Sequence, residues 1–318
     1  MDSQGRKWTI LTNTTPHHAK HSTINIHNER IKVEPLNGIL NSELQGSTLE
    51  EQRLLQFLFP DSVLSFPIDQ ATAYLNKLGA FERPTKRITP GTRGKLFFHD
   101  TVRRRVDNEA MMANHLNLIT KALQNHYPHL ECTREWTSQN CSNPMPATHP
   151  RKPDLALCDT TALKGQVAGL LSSWSIVHLI VEIKKHTSST VPPLIANTIR
   201  NKALLIFDTQ PTHRYLITVW ITSVAFGLIY FDRSGEIRAS WSSGCHRDFV
   251  RLIAGLAFSP ESVLGYDPRV TRKMLGGETE IRVNDKSYHV IRCVFKAIVL
   301  RGRGTVERPE LTPDAGSC

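Results

Sequence analysis

What the sequence lacks narrows its class first. No stretch approaches the roughly 20 apolar residues a membrane-spanning helix needs. The opening MDSQGRKWTILTNTTPHHAK holds no apolar run of signal-peptide length. Both absences predict an intracellular protein, cytoplasmic or nuclear, with no membrane partner. The six cysteines (Cys132, Cys141, Cys158, Cys245, Cys293 and Cys318) form no CxxC pair and have no histidine at finger spacing. This argues against a structural zinc site and for reduced thiols. No internal repeat or low-complexity tract is visible. Acid is scarce in one place: between Arg83 and Arg105, eight basic residues (Arg83, Lys86, Arg87, Arg93, Lys95, Arg103, Arg104, Arg105) stand against one acid, Asp100. The formal charge of +10 is therefore concentrated. Such a patch would hold a phosphate backbone of DNA or RNA, less tightly as salt rises; the other reading is a solvated loop that binds nothing in particular.

What is present allows one large domain or two modest ones in 318 residues. Residues 1–46 are polar without apolar periodicity and predict a disordered tail. Thr48–Phe59 and Ile68–Ala80 predict short helices, and Pro84–Gly94 a linker. From Asp107 the pattern strengthens: Met112, Leu116, Ile119 and Leu123 recur at spacings of four, three and four and predict a helix ending near Tyr127. Strands are predicted at Glu131–Trp136, Asp154–Asp159 and Ile176–Lys184, then a helix over Leu194–Thr209 and a strand over Arg214–Thr222. The order is αβββαβ. A hairpin follows (Phe226–Phe231 and Glu236–Trp241 around Asp232-Arg233-Ser234-Gly235), then a helix over Asp248–Ala257 and a closing hairpin from Glu280 with a turn at Asn284-Asp285.

Ile176–Lys184 is apolar on both faces until two opposite charges appear at its end, as in a central strand that meets a polar site. Side chains alternate along a strand, so Glu182 and Lys184 share one face. Asp154, preceded by Pro153, opens the strand before it, 28 residues upstream of Glu182. If the two strands pair, Asp154 and Glu182 converge on one cation; two hard carboxylates with waters suit Mg²⁺. The ion would polarise a phosphate oxygen and acidify a bound water. Lys184 would orient that water or neutralise transition-state charge. This is the layout of a PD-(D/E)xK phosphodiesterase core. Glu109, on the apolar side of its helix, reads as a first-turn charge favoured by the helix dipole or as a further metal ligand. Gln210 reads as a polar residue facing the cluster or as a helix terminator. Glu-x-Lys alone also occurs on many exposed strands.

Several stretches, in order, resemble the fungal-type protein kinases: Asp154 with Val181-Glu182-Ile183-Lys184, Thr209-Gln210-Pro211-Thr212-His213-Arg214, Phe231-Asp232-Arg233-Ser234-Gly235, Leu264-Gly265-Tyr266-Asp267 and Arg301-Gly302-Arg303-Gly304-Thr305. The resemblance covers about residues 95–306. It implies an N-terminal region followed by a kinase-like lobe, whose glycine-rich entry the last stretch resembles; Gly302 and Gly304 also read as a plain hairpin turn. The His246-Arg247-Asp248 triplet precedes that stretch, has Ile253 where an Asn is needed, and reads as a helix cap.

The expectation is an α/β (α+β) protein with a restriction-endonuclease-like αβββαβ core, β-hairpins and a helix. Its parts are a disordered tail (1–46), a helical segment with a basic linker (47–94), the core with its hairpin extension (95–260), a C-terminal hairpin resembling the start of a kinase lobe (261–306) and a tail (307–318). The function expected is a Mg²⁺-dependent phosphodiesterase on nucleic acid. The alternative is a regulatory module binding a protein partner, or a truncated fragment of a kinase, without kinase activity of its own.

Overall fold

The structure is a computed structural model that describes residues 33–81, 108–140, 145, 150–164, 173–184, 193–210, 212–222, 224–272, 279–283, 286–290, 295–296, 300, 306–307 and 311–313. The basic segment from Arg83 to Arg105, the Asn284-Asp285 turn, and Gly302 and Gly304 lie outside the described residues.

The chain opens with α1 (Val33–Glu43), β1 (Thr48–Glu50), α2 (Leu54–Leu58), α3 (Asp61–Leu64) and α4 (Ile68–Lys77). Then come α5 (Asn108–His126), β2 (Arg134–Thr137), β3 (Leu155–Asp159), α6 (Thr160–Lys164), β4 (Val177–Ile183), α7 (Pro193–Thr209) and β5 (Tyr215–Ile221). The hairpin β6 (Ala225–Asp232) and β7 (Gly235–Ser242) leads to α8 (His246–Phe258). From α5 to β5 the main elements run in the order αβββαβ, with the short α6 interposed.

β1 to β7 form one mixed sheet in the order β1-β7-β6-β5-β4-β3-β2. β4 and β5 are parallel, joined by a crossover through α7, and β1 lies parallel to β7; the remaining neighbours are antiparallel. A smaller sheet holds β8 (Val270–Arg272), β9 (Thr279–Val283), β10 (Lys286–Val290) and Leu311–Pro313.

Helices cover both faces of the large sheet. Leu157, Leu179, Val181, Val219 and Leu228 pack on one side against α2, α4, α5 and α8. Ala156, Ile180, Trp220 and Ile229 pack on the other against α1 and α7. This two-sided burial is why β3 to β6 read as unbroken apolar runs: a strand with helices above and below has no solvent face to make polar. The predicted strands and the helices at α5, α7 and α8 are present to within a few residues.

Two regions differ from expectation. Residues 33–46, assigned to the disordered tail, hold α1, whose Leu36 and Leu40, with Leu44 just beyond, are buried one turn apart. Burying each contributes about 1.5–3 kcal/mol. The helix is held laterally by α7: Arg200 donates to Asn41 and Asn201 to Asn37. Thr48–Phe59, predicted as one helix, divides into β1 and α2, because Thr48, Leu49 and Glu50 register against Glu236, Ile237 and Arg238. Glu236 is buried there and accepts from Arg200 Nε at 2.9 Å and Thr48 Oγ1 at 3.0 Å, and pairs with Arg238. Burial alone would raise its carboxyl, but the Arg200 hydrogen bonds and the two guanidinium charges outweigh it and hold the carboxyl below its ordinary value.

Candidate active site

Antiparallel pairing of β3 with β4 sets Leu155 against Val181, so Asp154, one residue before β3, falls opposite Glu182. Its Oδ2 accepts the Ile183 backbone N–H at 2.8 Å, which fixes the carboxylate at the strand end. Lys184 Nζ donates to the same oxygen at 2.7 Å and stands 3.3 Å from Glu182 Oε2. The expected convergence of Asp154, Glu182 and Lys184 is therefore a feature of the structure.

A fourth member was not foreseen. Lys202, on the buried side of α7, pairs with Glu182 Oε1. The cluster thus contains two carboxylates and two ammonium groups. Glu182 is wholly buried, whereas the Lys184 side chain is 38% exposed. Burial raises the Glu182 carboxyl and the Asp154 charge adds to it; Lys202 and Lys184 oppose this without reversing it. For Lys184, burial pulls the amine down, yet the charges of Glu182 and Asp154 outweigh it and the net direction is up. Lys184 is therefore a lasting positive charge and a poor proton acceptor at neutral pH. Glu182 Oε2 receives no aligned hydrogen bond. An oxygen left in that condition, beside Asp154, has the donor chemistry a hard divalent ion takes.

Glu109 lies half-buried in the first turn of α5. Among the described residues it forms no close ligand group with Asp154 and Glu182. Gln210 is placed away from the cluster. Its Nε2 donates to Trp174 O at 2.9 Å and Val177 O at 2.7 Å, at the start of β4, whereas Glu182 is near its end. Gln210 Oε1 accepts from Tyr266 Oη at 3.1 Å and lies 3.2 Å from His213 Nε2. Gln210 thus closes the α7–β5 connection against β4. The His246-Arg247-Asp248 triplet forms the first turn of α8, with Arg247 paired to Asp69 at 2.5 Å.

The stretches that carry the family likeness meet in space. Gln210 and His213 reach Tyr266, and the Arg214 N–H donates to Gly265 O at 2.8 Å. Gly265 has φ 105°, and a Cβ there would sit 1.9 Å from Tyr215 O, so the turn that presents Tyr266 requires glycine. Asp232 Oδ1 accepts the Ser234 and Gly235 N–H groups at 2.8 and 3.2 Å and shapes the β6–β7 turn. Residues 152–307 match the family model for the fungal protein kinases. Over this stretch the chain belongs to the fungal protein kinase family. Neither the curated proteins nor the solved structures yield a match.

The fungal protein kinase match begins two residues before Asp154 and includes β3, β4, α7 and the Gly265 turn; α1 to α5 precede it. No described helix is long and apolar enough to cross a membrane. Lys202 escaped sequence reasoning because a lysine in a helix is ordinarily solvated. Its one signal is position: Asn201-Lys202 abuts Ala203-Leu204-Leu205-Ile206-Phe207, a run too apolar for an exposed face.

Proposed function

We propose that this member of the fungal protein kinase family carries a PD-(D/E)xK-type, restriction-endonuclease-like core that hydrolyses phosphodiester bonds of nucleic acid with Mg²⁺. The observation that supports it is the convergence at the end of β4, where Lys184 Nζ lies 2.7 Å from Asp154 and 3.3 Å from Glu182. The αβββαβ order around it is consistent with the reading. Asp154 and Glu182 Oε2 would hold the ion, which when bound supplies Lewis-acid polarisation and an acidified water. Lys184 holds a fixed positive charge where the phosphoryl oxygens would gain negative charge. Asp154 orients that ammonium while itself anchored by the Ile183 N–H. The segment from Arg83 to Arg105 would supply salt-sensitive grip on the backbone.

The pairing of Lys202 with a wholly buried Glu182 favours a second reading, in which the cluster is an internal ion-pair network and the core a platform for a protein partner. The two separate in one assay. The full chain, with single- and double-stranded DNA and RNA, is expected to cut at least one in Mg²⁺ and not in chelator. Asp154→Ala abolishes cutting, and Lys184→Ala lowers it by roughly 100-fold. Equal cutting by the parent and both variants overturns the hydrolytic reading. No cutting, together with no Mg²⁺-dependent rise in melting temperature, also overturns it and leaves the platform reading, which predicts binding to a protein partner.

A further inference from the structure

A second cluster lies at the other end of β4. Asp159 ends β3, His178 is the second residue of β4, and Glu261 opens the 3-10 turn Glu261–Leu264 after α8. One ligand atom from each lies within 4.8 Å of the other two, and theirs is the group of this kind found among the described residues. His178 is 2% exposed, and its Nε2 stands 3.1 Å from Asp159 Oδ1.

The hydrogen bonds around His178 fix the ring through Nδ1. Gln210 Nε2 faces two carbonyl oxygens, Trp174 O and Val177 O, which only an amide NH₂ satisfies. The amide is therefore oriented with Oε1 toward Tyr266, and the Tyr266 hydroxyl donates its proton there. The Tyr266 oxygen is then able to accept from His178 Nδ1, 2.7 Å away, the tautomer that leaves Nε2 with its lone pair. His178 Nε2 is buried 3.1 Å from Asp159 Oδ1 and makes no aligned hydrogen bond, which leaves it available to a cation lying between the two. Arg134 is in register with Asp159 and within electrostatic reach of Asp159 and Glu261, but its Nη1 donates to the carbonyls of Leu256, Ala257 and Ser259.

We propose that Asp159, His178 Nε2 and Glu261 bind a divalent transition metal of the zinc type. An imidazole nitrogen with two carboxylates suits Zn²⁺ better than Mg²⁺. Tetrahedral zinc with bonds of about 2.0–2.1 Å sets its ligand atoms about 3.3 Å apart, close to the 3.1 Å between His178 and Asp159. Glu261 is exposed, so its side chain is free to close the remaining distance. Tyr266 and Gln210 serve as positioning residues, fixing the imidazole through its other nitrogen as the outer partners of metal-bound histidines do. The metal would clamp the segment after α8 to β3 and β4. No cysteine takes part, so the cysteine spacing that argued against zinc in the sequence does not bear on this site. The inference is independent of the Mg²⁺ reading at Asp154 and Glu182.

The test is titration of the full chain, stripped by chelator, with ZnCl₂, followed by calorimetry and by metal content after dialysis. One Zn²⁺ per chain and a raised melting temperature are expected. Glu261→Gln, an exposed change, should keep the metal-free melting temperature and bind Zn²⁺ at least tenfold more weakly. Tyr266→Phe should weaken binding by about 10–100-fold. Failure of the parent to bind Zn²⁺ overturns the proposal. Equal binding by the parent and Glu261→Gln places the metal on other groups and overturns it as well.

Discussion

His115 shows how one buried group can govern stability. It lies on α5 beside Leu116, 1% exposed, and its Nε2 meets no hydrogen-bond partner among the described residues. Burial lowers its pKa from 6.5 to about 4. The native imidazole thus stays neutral while an unfolded chain takes up a proton near pH 6.5. Stability is therefore complete above about pH 6.5, falls as pH drops toward about 4, and levels off below that. The slope is at most about 1.4 kcal/mol per pH unit. Urea unfolding of the parent and His115→Leu across this window should show the slope shallower in the variant. Parallel profiles would assign the acid sensitivity to other groups. For Asp154, Glu182 and Lys184, alternation along β4 and the Pro-Asp start of β3 made their convergence legible. Lys202 was not legible, because a helix face acquires its meaning from the strand it covers.

Among the elements, α1 is the instructive one. Leu36, Leu40 and Leu44 form a stripe at spacing four, but Asn37, Asn41 and the polar tract before them mask it. Those asparagines, which look like solvated residues, instead receive hydrogen bonds from Asn201 and Arg200 of α7. Leu40→Ala should cost about 2–5 kcal/mol in denaturant unfolding, the range for a leucine removed from a packed core. A cost below about 0.5 kcal/mol, typical of a surface site, would mean that α1 is not docked. β1 was equally hidden. Its three residues are exposed with no alternation, and it exists because β7 offers it a parallel edge. α8 was easier to find, since its apolar residues face the sheet while Arg251 donates to Phe59 O at 2.7 Å and Asp61 at 2.6 Å, tying α3 to it.

In the assembled fold, α1 and β1 close one face and one edge of the large sheet, and Glu236 links them to α7 through Arg200 and Thr48. A chain lacking residues 1–46 loses three buried leucines and the Asn37 and Asn41 contacts. It should melt at least about 10 °C below a chain lacking residues 1–32, at roughly 2–4 °C per kcal/mol for a protein of this size. Coincident melting curves would show that α1 contributes nothing. Local pattern was sufficient for the strands and long helices, because a strand buried on both faces must be apolar throughout and a helix must repeat its apolar residues every three or four positions. It was also sufficient to pair Asp154 with Glu182, since adjacent antiparallel strands bring their ends together. It could not supply Lys202, the docking of α1, or the meeting of Asp159, His178 and Glu261. Those depend on contacts between residues far apart in the chain, where no periodicity marks a partner and the packing of helices on the sheet decides what each side chain meets.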